Sequence, residues 1–319
     1  MRIFWMGAAL AVAAGCDKTA GDTASTGPDC GVTISDTYPA DGANEVYYRS
    51  SVEFTLTVAD DTAFVVSETP GTESISEDGL TVRFTPDDGF APGTTHTVGL
   101  DYCGGQPEIS FTTSTHGADL SISLDDLIGQ VWSIDLMDAR YPAGEGFTEI
   151  IGSLFDRNML LGVVDANSTG LGVRLSIAAD DDVTQDECFR TLDLEDWVPL
   201  TGPDFSYTAN RVSFGAYAAD VELMNVAASG TIAPDGESVA GFALATEVDV
   251  REVAEVLGIS TMKDEICDLA ENVGTPCLPC DTDGTMNCVA LVADQAFGMH
   301  ASVDGLVEVL EADSVAGCK

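Results

Sequence analysis

The sequence predicts a mostly β chain: a small antiparallel sandwich followed by an α+β domain, which is an antiparallel sheet with two short helices, stapled by disulfides. Three observations predict it. Apolar residues alternate with polar ones in short runs from residue 31 onward, with Gly, Pro and Asp between the runs. Helical periodicity is confined to two stretches after Asp249. With Cys16 set aside, the other cysteines fall into two even groups: Cys30 and Cys103, then Cys188, Cys267, Cys277, Cys280, Cys288 and Cys318. A length of 319 residues with 45% hydrophobic content is enough for two cores.

The first element is a leader. Arg2 is the only charge before Cys16, and residues 3–14 are apolar. That run has the length of a signal-peptide core and falls short of the ~20 residues that span a bilayer. Gly7 and Gly15 argue against a buried N-terminal helix. The run ends Ala13-Ala14-Gly15-Cys16, which resembles the lipobox of bacterial lipoproteins. The usual lipobox is Leu, a small residue, Gly or Ala, then Cys; Ala13 stands where Leu is commonest. The resemblance implies cleavage before Cys16, a diacylglycerol on its thiol and acylation of the new amino terminus with palmitate-type chains. It implies an exported protein anchored to a bacterial membrane, in the periplasm or on the cell surface. Each buried CH₂ contributes about 0.8 kcal/mol, so two or three chains hold where one holds only marginally. Residues 1–15 are thus expected as signal peptide and 16–29 as anchor and linker. The stretch 17–29 has no large apolar residue and reads as a flexible tether. Fully extended, it reaches roughly 45 Å.

The second element, 30–114, reads as the sandwich. "SVEFTLTV" places Val52, Phe54, Leu56 and Val58 on one face. "LTVRFTP" does the same with Leu80, Val82 and Phe84, and "THTVGLDYC" with "PEISFTTS" forms a late hairpin. These stretches also carry a resemblance. "YPADGANEVYYRSSVEFTLT", "SEDGLTVRFTPDDGFAPGTTHTVGL" and "ISFTTS" resemble the bacterial Ig-like domain of surface-layer and adhesion-type proteins, the SbsA type. The likeness covers nearly all of 31–114. It implies a spacer or adhesive module without catalysis. His96 stands where that family usually has Tyr, and many members lack an equivalent of Cys30 and Cys103.

The third element, 119–319, reads as α+β. "DDLIGQVWSIDL" and "MLLGVVDANSTGLGVRLSIAADDD" read as strands, with a turn at 167–170. "VELMNVAASGTIAPDGESVAGFALATEVDV" reads as a long hairpin turning at Pro234, Asp235 and Gly236. The first helix is expected to start at Asp249, with Glu252 completing a capping box, and to end at Gly258. Val250, Val253, Ala254 and Leu257 form its apolar stripe. The second starts near Thr261 and buries Met262, Ile266 and Leu269. A closing strand runs near 289–301. This domain resembles acidic, Cys-rich lipoproteins known only as uncharacterised, which implies no activity.

The cysteine count points to an oxidising compartment, because eight thiols remain once Cys16 carries lipid. The expected bonds are Cys30–Cys103, then Cys188–Cys318, Cys267–Cys277 and Cys280–Cys288, one of several pairings that six cysteines allow. Cys277-Leu-Pro-Cys280 has the spacing of a redox motif. It follows a helix end and leads into the turn "DTDGT", whereas a redox CxxC opens a helix. Four of these cysteines, Cys267, Cys277, Cys280 and Cys288, could instead supply zinc thiolates, but paired cysteines in an exported chain read first as disulfides.

Charge excludes one class of partner. Lys+Arg is 12 against Asp+Glu 54, a formal net charge of −42, which repels nucleic acid. Two acidic clusters invite calcium: Asp180 and Asp182, and Asp281 and Asp283 ahead of Gly284. Neither completes an EF-hand loop, and in so acidic a chain such clusters arise by chance. The histidines are His96 in the sandwich corner, His116 in the linker and His300 in a strand. Met299 and His300 near Phe297 read as packing residues. The sequence contains no HExxH, GxSxG, Walker loop or GxGxxG motif. The expectation is a non-enzymatic, lipid-anchored envelope protein with no cofactor. Its Ig-like spacer would present a disulfide-rich interaction or structural domain, with the membrane and an envelope protein as partners. The alternative is an envelope protein that binds lipid or a small apolar ligand in a barrel mouth, suggested by the apolar runs 159–164 and 239–245.

Overall fold

Val52, Phe54 and Leu56 are buried while Glu53 and Thr55 between them are not, so β2 (Val52–Leu56) presents one greasy face. A computed structural model describes residues 30–141, 157–216, 219–256, 263–272, 275–301 and 303–310. In it β2 pairs with β1 (Ile34–Tyr38) and β5 (Thr81–Pro86), and β4 (Gly71–Ile75) lies beyond β5. A facing sheet holds β3 (Phe64–Ser67), β6 (Thr95–Asp101) and β7 (Glu108–Thr112). Every pairing is antiparallel. The orders β1-β2-β5-β4 and β3-β6-β7 are those of a constant-type immunoglobulin sandwich. Phe54, Phe90, Phe111, Leu56 and Leu100 fill the space between the sheets. His96 sits at the corner, its ring 4.9 Å from Phe90 and its Nε2 3.0 Å from the Ala91 carbonyl. Val58 departs from expectation: β2 ends at Leu56, the alternation stops with it, and Val58 is 54% exposed.

The remaining strands form a third sheet with its own core, the head. In chain order they are β8 (Val131–Ile134), β9 (Met159–Asn167), β10 (Gly170–Ile177), β11 (Leu192–Asp193), β12 (Leu200–Thr201), β13 (Asp204–Ala216), β14 (Ala219–Ile232) and β15 (Ser238–Asp249). Two helices follow, α1 (Val250–Val256) and α2 (Lys263–Asn272), then β16 (Leu278–Pro279) and β17 (Met286–His300). Among the described residues no helix is long and apolar enough to cross a membrane. The strand order is β11-β10-β9-β8-β17-β15-β14-β13-β12, with β16 beside β17.

The two ends of that order are one piece of chain. β11 pairs with β10 and β12 pairs with β13, yet only six residues separate β11 from β12. Residues 192–201 therefore strap the first edge of the sheet to the last and curl it into a ring. The strap is bonded to β10 by reciprocal Leu171–Val198 backbone hydrogen bonds of 2.9 and 2.8 Å, and by Leu194 N–H to the Val173 carbonyl at 3.0 Å. Arg174 clamps Asp193 from below with two hydrogen bonds. Toward β13 the strap pairs at Leu200 and Thr201, and the Pro199 carbonyl accepts the Ser206 N–H at 3.2 Å; ahead of that point a seam lies between 190–196 and 207–213.

Two local readings are corrected. Part of "DDLIGQVWSIDL" is not strand: residues 124–127 wind into a 3-10 turn, because Asp126 accepts from both the N–H and the hydroxyl of Ser123. Asp249 does cap α1, accepting the Arg251 N–H at 2.9 Å. Glu252, however, turns to the Glu222 N–H of β14 at 2.8 Å, so no capping box closes. Ile266 and Ala270 of α2 pack on the core. Leu257, Gly258, Thr261 and Met262 lie outside the described residues.

Candidate functional site

The sandwich meets the head through the segment before β2. Asp204, the first residue of β13, accepts from the Tyr48 hydroxyl at 3.0 and 3.1 Å, from Arg49 Nη2 at 2.7 Å and from the Thr231 hydroxyl at 2.6 Å. Burial, then the Asp204 charge, pushes the Tyr48 phenol well above its ordinary pKa, so it stays a donor. Glu53 receives Arg140 of the head at 2.5 Å and Arg83 of the sandwich at 2.8 Å. The Tyr47 ring lies on Gly241 (φ +60), where a Cβ would sit 2.1 Å from the ring.

His116 completes the junction. Its Nδ1 is 3.1 Å from Ser114 Oγ and its Nε2 is 3.1 Å from Ser238 Oγ. Burial, outweighing Glu45 and Asp235, lowers its pKa below the ordinary 6.5. A hydroxyl on a ring nitrogen is the geometry of a nucleophile–base pair. Here the ring and both hydroxyls are largely buried, at the floor of a groove that all three residues help to line. The trio pins sandwich to head. His300 is exposed on β17. Met299 and His300, expected as packing residues, are thus both at the surface: Met299 is 57% exposed, and the neighbouring Phe297 is 45% exposed. Phe297 and Met299 line a groove beside His116, where alternation along β17 turns their side chains outward.

Inside the ring lies an apolar cavity. Trp132, Leu171, Val173, Phe205, Phe242 and Leu244 are among its walls, drawn from β8, β10, β13 and β15. Leu192, Leu194 and Val198 of the strap close one side. About 80 Å³ is open to the centres of water-sized groups. At ~10–15 Å³ per group this is room for about five to eight of them. The walls offer water no polar partners, which disfavours water and favours hydrocarbon. The seam between strap and β13 forms a wider funnel of about 950 Å³ above it. Five side chains line both spaces: Leu192, Leu194, Tyr207, Val212 and Val226. Of this wall, sequence reading reached Met159, Leu161, Phe242 and Leu244, which lie in the apolar runs 159–164 and 239–245; the others share no spacing and meet only when the sheet curls.

Other expected sites fall as follows. Disulfides join Cys30 to Cys103, Cys267 to Cys277 and Cys280 to Cys288. Cys188 is disulfide-bonded, and Cys318 lies outside the described residues, as do Cys16 and the tether. Cys277 and Cys280 are each bonded to a cysteine outside their own CxxC, as expected in preference to the redox and zinc alternatives. Asp180 pairs with Arg157 at 3.1 Å, and Asp182 sits in a turn at φ +60. Asp283 binds Arg251 at 2.8 Å, and that guanidinium holds its carboxyl well below the usual range; Asp281 accepts from Asn225 at 3.0 Å. Among the described residues none of these four belongs to a cluster of three closely spaced ligand groups. The cluster that does form is Asp249, Cys280 and Cys288, and its two sulfurs are bonded to each other.

No family model matches this chain, and no curated protein matches it. Among solved structures, an L,D-transpeptidase from Mycobacterium smegmatis is similar over 61% of this chain and 75% of its own, with 13% identity and a TM-score of 0.23. Surface layer protein SbsC, domains 4-9, is similar over 67% of this chain and 28% of its own, with 11% identity and a TM-score of 0.19. Likeness this distant bears on neither fold nor activity.

Proposed function

We propose that this chain is a non-enzymatic, lipid-anchored protein of the bacterial cell envelope. Cys16 carries the lipid, the Ig-like sandwich is the spacer, and the ring-shaped head is the presented part. The observation that carries this reading is the junction: Asp204 and Glu53 each gather donors from both halves, as a rigid mount requires. Disulfides in both halves fit an oxidising compartment. His116, bonded to Ser114 on one ring nitrogen and to Ser238 on the other, adds to the same mount. The test is metabolic labelling with tagged palmitate. Label should enter the wild type and the membrane fraction, and a Cys16→Ser variant should lose both. Equal labelling of that variant would overturn the anchor.

The apolar cavity favours a second reading of the head, as a binder of lipid or a small apolar ligand. Native mass spectrometry of the purified protein should then find an apolar adduct, released on unfolding.

A further inference from the structure

The cavity and the funnel differ in chemistry and adjoin across five shared side chains, so a ligand that parts those side chains would occupy both. The cavity takes only hydrocarbon, about five to eight carbons of it. The funnel is polar, and its charges are unevenly committed. Arg211 is paired with Glu222 at 3.1 Å, and Arg190 is bonded to Ser213. Asp193 is held by Arg174. Glu195 and Asp196 are exposed carboxylates beside the Tyr207 ring, in a chain of net charge −42. A cation at this lip meets two carboxylates and an aromatic face, whereas an anion meets repulsion.

We propose that the head binds a cationic amphiphile: a single alkyl tail of about six to eight carbons in the cavity, and an ammonium head at the lip, facing Glu195, Asp196 and Tyr207. The proposal rests on the ligand-binding reading of the head and names its ligand class.

Binding of three probes with the same tail tests it: octyltrimethylammonium, octanoate and octyl glucoside, each below its micelle concentration. Fluorescence of Trp132 in the cavity wall and of Trp197 beside Asp196 is the readout, with calorimetry for affinity. The ammonium probe should bind at least tenfold more tightly than octanoate, and added salt should narrow that gap. Glu195→Gln with Asp196→Asn should bring the gap within about threefold and leave octyl glucoside unchanged. Asp61→Asn with Asp88→Asn, which removes equal charge from the sandwich surface, should leave the gap intact. Ala228→Phe, which fills the cavity, should abolish binding of all three; its thermal unfolding shows whether it is folded. Should Ala228→Phe not fold, tetramethylammonium replaces it and should not bind. Equal affinities for the three probes, or a gap that shrinks as much with the sandwich variant, would overturn the head-group assignment and leave the ligand reading standing. No binding of any octyl probe would overturn both.

Discussion

At the scale of single residues, two polar groups carry the junction, His116 buried and Asp204 half-buried. His116 has a partner on each ring nitrogen and little water. In the unfolded chain its imidazole titrates near 6.5, and in the fold burial moves it below that value. Above pH 6.5 both states are neutral and the pin contributes in full. Below 6.5 the unfolded chain binds a proton that the folded chain refuses, so stability falls through that window down to the folded pKa. His116→Gln removes this linkage. The stability difference between wild type and variant, measured by denaturant unfolding, should shrink as pH falls from 7.5 to 5.5. A difference that stays flat would show that the ring is not held neutral. Asp204 is the second group: removing its carboxylate would leave the buried Tyr48 hydroxyl without its acceptor, a loss of the kind that costs about 1–3 kcal/mol.

Among the elements, the strap decides whether the sheet is a ring. Its seat on β10 depends on Gly170, at φ +152 in the first position of that strand. A Cβ there would sit 2.1 Å from the Val198 carbonyl oxygen, a backbone atom that cannot swing aside. Gly170→Ala should therefore lift the strap, at about 1–3 kcal/mol for an overpacked contact. Amide exchange at Leu171, Leu194 and Val198 should accelerate while β14 and β15 stay protected; uniform acceleration would mean that the strap is no separate unit. Turns made the hairpins legible in the sequence. Asn167 bonds the Thr169 N–H at 2.7 Å and Asp235 the Glu237 N–H at 3.1 Å, each a short-range signal. β13 was not legible. Phe205 and Tyr207 occupy odd positions on the cavity wall but Val212 an even one, so its alternation changes phase midway. The strap was invisible for another reason: two-residue pairings leave no period to read.

Across the whole molecule, fold class was readable because burial alternates in step with the sequence, as in β2 and β5. The site was not, since Trp132, Leu171 and Phe242 become neighbours only after the sheet closes on itself. The disulfides contribute unequally. Cys30–Cys103 spans 73 residues, whereas Cys267–Cys277 and Cys280–Cys288 span 10 and 8. Chain-entropy arithmetic gives about 4.5 kcal/mol for the first and about 2.5–3 for each of the others. Replacing Cys30 and Cys103 together by Ser should lower the unfolding free energy of the sandwich more than either head pair lowers that of the head. Urea unfolding of the three double variants would rank them, and a reversed order would place the stabilisation in native contacts instead.

The position of Asp204 has a mechanical corollary. The joint grips β13 at its first residue, and the funnel lies along the same strand at 207–213, about 10–30 Å farther on at ~3.4 Å per residue. A hydrogen-bonded ribbon resists bending, so the opening keeps one bearing relative to the sandwich. Turning the aperture toward that module would require breaking the bracket that Asp204 makes with Tyr48 and Arg49.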